Sequence, residues 1–232
     1  MAIKRNMDVE WSYSGSNGPE HWHTLCDWYA EGAKFPYQSP IHLKHTETKE
    51  FEHETLSFHY KKEQFTEKEF KNTIHFVPFN TESYVVYKGV EYHLTDIHFH
   101  KPSEHLIDGT QTELEFHLVH TNAQQENLVV GVLFNLTDKL NWICNEQDDS
   151  IWDFDNHIQH FDPSLFLPEK HSHFHYVGSL TTPPTKGPVN WFVMDTVGEM
   201  SRRFIQLFHE EVLENNNRPI QDTKDRDILY SN

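Results

Sequence analysis

The 232-residue chain reads as a mostly β domain with a few peripheral helices. Two observations predict it. Five segments alternate with period two and are rich in Val, Ile, Phe, Tyr and His: Tyr84 to Tyr87, Tyr92 to His100, Glu113 to His120, Leu128 to Leu136, and Val189 to Asp195. Such segments suit a pleated, half-buried surface. Turn residues punctuate them at Gly89, Pro102, Gly109 and the pair Pro183–Pro184. One helix is predicted over Thr196 to Leu213, where Val197, Met200, Phe204, Leu207, Phe208 and Val212 keep a helical period. A shorter one is predicted within Gln147 to Asp155. With no internal repeat, low-complexity tract or linker, residues 1–232 read as one domain.

The core of that domain is expected to be aromatic, since Phe alone occurs 17 times. Nineteen basic residues face 36 acidic ones, a formal net charge of −17. A surface this acidic repels phosphate backbones and anionic headgroups, which argues against nucleic acid and membrane as partners. No apolar run approaches the roughly 18 residues of a membrane span. Met1 to Trp11 contains Lys4 and Arg5 with no apolar stretch after them, unlike a secretory signal. A cytoplasmic location is expected, the alternative being an exported mature chain without its signal. Cys26 and Cys144 form no C-x-x-C pair and read as two free thiols, with a bridge between them left open.

Histidine makes up 19 of the 232 residues. At that frequency one or two His-x-His triplets arise by accident, so the triplets alone say little. Context separates them. His98 and His100 lie inside an alternating segment, and residues two apart on a strand share a face. His117 lies in a second such segment, between Phe116 and Leu118. Three neutral imidazoles leave the fourth position of a tetrahedral zinc ion open, the pattern of a catalytic site. His171, His173 and His175 alternate in the same way, and spacing alone does not exclude them as a rival metal site.

The motifs in order resolve the ambiguity. Tyr13 and Asn17-Gly18-Pro19-Glu20-His21-Trp22 come first, then Gln38-Ser39-Pro40-Ile41. His98-Phe99-His100, Pro102-Ser103-Glu104-His105 and Glu115-Phe116-His117-Leu118-Val119-His120 follow. Gly178-Ser179-Leu180-Thr181-Thr182-Pro183-Pro184 precedes Val189 and Trp191, and Asn217-Arg218-Pro219 comes near the end. Together they resemble the alpha-class carbonic anhydrases, nearly end to end and in that family's order.

The resemblance implies a large, mainly antiparallel, twisted central sheet, with Zn2+ at the bottom of a conical cleft. It implies reversible hydration of carbon dioxide to bicarbonate and a proton through a zinc-bound hydroxide. His98, His100 and His117 match the metal ligands, and His120 does not. Thr181 and Glu104 match the pair that orients the hydroxide, Thr181 donating to a carboxylate that only accepts when ionised. Thr182, Val119, Val129, Leu180, Val189 and Trp191 match the substrate pocket. Glu115 matches the acidic partner of His117. Carbon dioxide and bicarbonate are the implied small-molecule partners, with sulfonamide-type inhibitors and a homodimer also expected.

The sequence departs from the family at three places. Asp96 stands where a glutamine usually precedes the first metal histidine; it can still accept from His98 but adds a negative charge. Asn72 stands at the position of the proton-shuttling histidine and cannot shuttle; His75 is the expected substitute. Ala30 and Thr185 stand where exported bacterial members often carry a disulfide, which fits a reducing compartment. Two other functions compete with the enzyme: a recognition module of the same fold, and a histidine-rich metal store. Intact ligands with Thr181 and Glu104 favour the enzyme over the module. Metal stoichiometry separates it from the store.

Overall fold

Alternating segments joined by tight turns can pair edge to edge, and here they build one very large sheet. The structure, a computed structural model, describes residues 9–50, 56–139, 152–153, 157–206 and 214–232. Its strands are β1 (His42–Leu43), β2 (Lys49–Glu50), β3 (Ser57–His59), β4 (Glu63–Glu69), β5 (Ile74–Pro78), β6 (Tyr84–Tyr87), β7 (Val90–His100) and β8 (Leu106–Ile107). They continue with β9 (Leu114–Thr121), β10 (Asn127–Thr137), β11 (Trp152–Asp153), β12 (Ile158–Phe161), β13 (His173–Gly178), β14 (Val189–Met194), β15 (Gly198–Ser201) and β16 (Leu229–Ser231). Three short helices complete it: α1 (Trp22–Leu25), α2 (Asp27–Ala33) and α3 (Arg202–Gln206).

All strands but β1 and β8 belong to one sheet, whose main path runs β11-β12-β4-β5-β7-β9-β10-β14-β13-β16-β2. The pairs β10–β14, β10–β15 and β16–β2 are parallel and the rest antiparallel. The centre is β7-β9-β10, and each of these strands separates two environments. Leu114, Phe116 and Leu118 of β9 join Leu128, Val130, Val132 and Phe134 of β10 in the larger apolar core. The residues between them, Glu115, His117, Val119, Val129, Gly131 and Leu133, face the other way. A second apolar cluster there includes Val129, Leu133, Tyr176, Val189, Trp191 and Val193.

In β7 the alternation predicted for Tyr92 to His100 is interrupted. Leu94 pairs with His120, but Asp96 pairs with Val119, so Thr95 is an extra residue in the ladder, a β-bulge. Tyr92 and Leu94 face the larger core before it, and Ile97 and Phe99 after it. The inward phase changes from even to odd numbers. Asp96, His98 and His100 are thereby turned onto the face that carries Glu115 and His117.

The helix predicted over Thr196 to Leu213 is corrected. Gly198–Ser201 is strand β15, paired in parallel with Phe134 to Thr137 of β10. Only Arg202–Gln206 is helical, and residues 207–213 lie outside the described residues. A free strand edge at the end of β10 offers backbone partners that a helix would leave unused. Gly198 suits it, because a Cβ there would sit 2.6 Å from the Phe134 ring. The helix predicted within Gln147 to Asp155 lies mostly outside the described residues, and Trp152–Asp153 is a strand.

Candidate metal centre

The three histidines meet because of register. His98 of β7 and His117 of β9 are directly opposed, and His100 lies opposite Glu115. Opposed residues on one face have their Cβ atoms about 5 Å apart. The ring centroids of His98 and His117 are 5.3 Å apart, those of His98 and His100 5.1 Å, and those of His100 and His117 4.6 Å. One ring nitrogen from each lies within 4.8 Å of the others.

The outward nitrogens are all held. His98 Nδ1 is 2.6 Å from Asp96 Oδ2. His100 Nδ1 donates to the backbone oxygen of Asn216 at 2.8 Å. His117 Nε2 is 2.8 Å from Glu115 Oε1. Two carboxylates and a carbonyl thus fix the tautomers, leaving Nε2, Nε2 and Nδ1 as lone-pair donors toward the centre. His100 Nε2 is buried and has no hydrogen-bond partner among the described residues. Burial pulls the basicity of all three down, against the pull of Asp96 on His98 and of Glu115 on His117; His100 is lowered to about 3. They are therefore neutral at physiological pH, the state that binds a cation. An orphaned buried nitrogen in a set of three neutral imidazoles fits zinc.

Glu115 does more than the sequence suggests. Its Oε1 also meets His105 Nδ1 at 2.6 Å, and its Oε2 accepts the backbone N–H groups of Glu104 and His105 at 2.9 and 2.8 Å. His105 Nε2 in turn lies 2.7 Å from the Tyr176 hydroxyl, which donates to Ser39. Burial alone would raise the Glu115 pKa, but His105 and His117 outweigh it and hold the carboxyl well below its usual range. Gly131 of β10 makes the room, since a Cβ there would be 2.9 Å from Glu115 Oε1.

Glu104 and Thr181 are both buried. Glu104 Oε1 accepts the Arg218 backbone N–H at 2.8 Å, and Glu104 Oε2, 3.5 Å from His100 Nε2, is buried with no hydrogen-bond partner among the described residues. Burial raises the Glu104 pKa, while His117, Thr181 and Arg218 oppose the rise. Val119, Val129, Leu180, Val189 and Trp191 pack in one apolar cluster beside the histidines. The Trp191 ring is 4.9 Å from His117, and Trp191 Nε1 donates to Ser179. Thr182, half-buried, accepts the Thr185 N–H at its carbonyl.

His75 and Asn72 separate. His75 on β5 has Nδ1 3.0 Å from both Asp96 oxygens, and its ring lies 4.9 Å from that of His98. Asn72 sits in the preceding turn at φ +61°, 3.4 Å from Glu214. The rival trio does not converge. His175 is engaged by the Trp191 carbonyl and the Tyr87 hydroxyl, His173 Nδ1 by the His171 carbonyl, and the His171 ring packs on Phe58. His120 points to the opposite face from His117, against Tyr60.

Sequence reasoning missed Asn216. Besides holding His100, it accepts the Lys101 N–H and donates to the carbonyls of Asn72 and Phe99. It sits inside the run Asn215 to Asn217, where no local signal singles it out.

Comparison with known proteins agrees with this geometry. The eukaryotic-type carbonic anhydrase family matches residues 17–232. A carbonic anhydrase of Nostoc sp. is 33% identical over 234 residues, 97% of this chain and 87% of that protein. A dioscorin of Dioscorea japonica is 32% identical over 245 residues, again 97% and 87% of the two chains. The solved structure of an alpha-carbonic anhydrase from Thermovibrio ammonificans, in complex with sulfanilamide, superposes with a TM-score of 0.83. It is 31% identical and covers 95% of this chain and 99% of its own. On its sequence, its sheet and its histidine-lined centre, this chain belongs to the alpha carbonic anhydrase family, whose general activity is the hydration of carbon dioxide.

Proposed function

We propose that this chain hydrates carbon dioxide reversibly, with Zn2+ held by His98, His100 and His117. The observation that carries the reading is the set of three inward nitrogens, each fixed from behind by Asp96, Asn216 or Glu115, with His100 Nε2 orphaned. Zinc, when bound, supplies the Lewis acidity that makes water a nucleophile near neutral pH.

The rest is done by the protein. Thr181 gives its proton to Glu104, so its oxygen is left to accept. That selects one orientation of the nucleophile's O–H. Val119, Val129, Leu180, Val189 and Trp191 offer apolar carbon dioxide a dry wall, and Thr182 lines the site where bicarbonate leaves. His75 carries the proton outward, since Asn72 cannot, and turnover accordingly rises with imidazole-type buffer. A sulfonamide should inhibit this chain too, since the Thermovibrio relative forms a complex with the inhibitor sulfanilamide. A cytoplasmic location is our reading, supported by Ala30 and Thr185 at the positions where exported relatives often carry a disulfide; cell fractionation tests it.

Stopped-flow carbon dioxide hydration with and without a zinc chelator, repeated on His117→Ala, tests the reading. Wild-type activity should vanish on chelation and return with zinc, at one zinc per chain. Activity surviving His117→Ala sinks the ligand assignment. A zinc-loaded chain that hydrates nothing sinks the enzyme.

A further inference from the structure

Arg218 is among the most buried charged side chains of the described residues, at 8% exposure. Its Nη1 donates to Gln38 Oε1 at 2.9 Å and to the Ser39 carbonyl at 2.7 Å. Its guanidinium lies 5.7 Å from the Trp22 ring centre. All of these partners are neutral. Nε is buried with no partner among the described residues. No described carboxylate forms an ion pair with the guanidinium; Glu104 takes the backbone N–H instead. Burial lowers the Arg218 pKa to about 10, against the opposing charge of Glu104. A buried, unpaired guanidinium is costly. A fold that keeps one beside an open depression offers it a ligand.

That depression has a volume of about 380 Å³ and is lined by His23, Ala30, Ala33, Lys34, Gln38, Arg218 and Gln221. The charged or chargeable groups of its lining are Arg218, Lys34 and His23. Among the described residues the acid paired with Lys34 is Glu31, on the exposed surface, while Glu104 acts on Arg218 from the buried side. On a chain of net charge −17, such a basic hollow is an exception. Gln38 cannot swing in to complete the pairing. Its amide nitrogen is already committed to the carbonyls of Phe35 and Thr185.

We propose that this hollow binds a small planar oxyanion, bicarbonate or a carboxylate, at the edge of the Arg218 guanidinium that lines it, with the Lys34 ammonium on its rim. The guanidinium fork matches two oxygens of such an anion in one plane. The site lies apart from the three histidines, linked toward them by the hydrogen bond from Arg218 N to Glu104 Oε1 and through Ser39, Tyr176 and His105 to Glu115. Because Lys34 is exposed and shared with Glu31, the affinity should fall in the millimolar range.

The test follows the Arg218 Nε–H signal by NMR in the full, zinc-loaded chain while sodium bicarbonate, sodium acetate or sodium chloride is added at matched ionic strength. A saturable shift is expected with bicarbonate, acetate or both, and not with chloride. Bicarbonate alone would make the reaction product the occupant; acetate alone would make it a carboxylate. Lys34→Glu, far from the metal centre and on an exposed side chain, should weaken binding about threefold or more. Arg218→Lys should abolish the saturable response, read by Trp fluorescence, if the variant folds. A shift that chloride reproduces, no saturable shift, or an affinity indifferent to Lys34→Glu would each overturn the proposal.

Discussion

Acid should unfold this protein partly through His120, and the size of the effect can be worked out. His120 of β9 is fully buried, its Nε2 2.9 Å from the Tyr60 hydroxyl and its Nδ1 3.3 Å from the Leu128 carbonyl. Its ring lies parallel to that of Tyr60. Burial lowers its pKa to about 3. In the unfolded chain the same group takes a proton near pH 6.5. Between those values the unfolded state binds one more proton than the folded state. Stability therefore falls as pH falls, by about 1.4 kcal/mol per unit well below pH 6.5. From pH 6.5 to 5.0 His120 alone should cost about 1.5–2 kcal/mol. The assay is denaturant unfolding of metal-free protein at both pH values, for wild type and His120→Gln, which keeps polar atoms but does not titrate. Other buried histidines, His100 among them, act alike in both proteins and cancel. The wild type should lose about 1.5–2 kcal/mol more than the variant. Equal losses would refute the reasoning.

Three further outcomes are expected. Gly131→Ala places a methyl group 2.9 Å from Glu115 Oε1, so zinc should transfer to a chromophoric chelator about 10–100-fold faster; an unchanged transfer rate would show that Glu115 adjusts freely. Thr181→Val removes the donor to Glu104 while keeping the shape, and should lower carbon dioxide hydration about 100-fold with zinc content unchanged. Asp96→Gln removes a negative charge beside His98, which should move the midpoint of the pH–rate profile to lower pH; a fixed midpoint would mean that His75 already neutralises that charge.

The sheet was legible because its central strands bury one face, and burial of one face writes a period of two into the sequence. Val189 to Met194 and Leu128 to Leu136 were read within a residue or two for that reason. Residues 196–201 were misread because Val197 and Met200 satisfy a helical period with Phe204 of the true helix Arg202–Gln206, while the edge that claims Gly198–Ser201 lies some 60 residues earlier in β10. The three converging histidines were legible from motif order, and the partners Asp96 and Glu115 from the same motifs and their spacing of two. Asn216 was not, because it acts through its carbonyl, which every residue has. The grip of Glu115 on His105, and that of Arg218 on Glu104 through a backbone N–H, were hidden for the same reason: they depend on loops brought together in space. The bulge did leave a mark, since the apolar series Tyr92, Leu94, Ile97, Phe99 skips from even to odd.

That skip makes the centre a matter of parity. Before the bulge the even-numbered side chains of β7 face the oily interior, and beyond it the odd-numbered ones do, which leaves Asp96, His98 and His100 to the histidine centre. Deleting Thr95 would only remove the extra residue, leaving Leu94 opposite His120 and Asp96 opposite Val119 with every side chain on its present face; deleting Ile97 with the bulge kept would instead turn His98 and His100 toward the core. Changes of two residues in the same stretch would leave each ring on its own side. The catalytic face of this protein is thus set by one count along one strand, which point substitutions leave alone and a single-codon insertion or deletion beyond the bulge reverses.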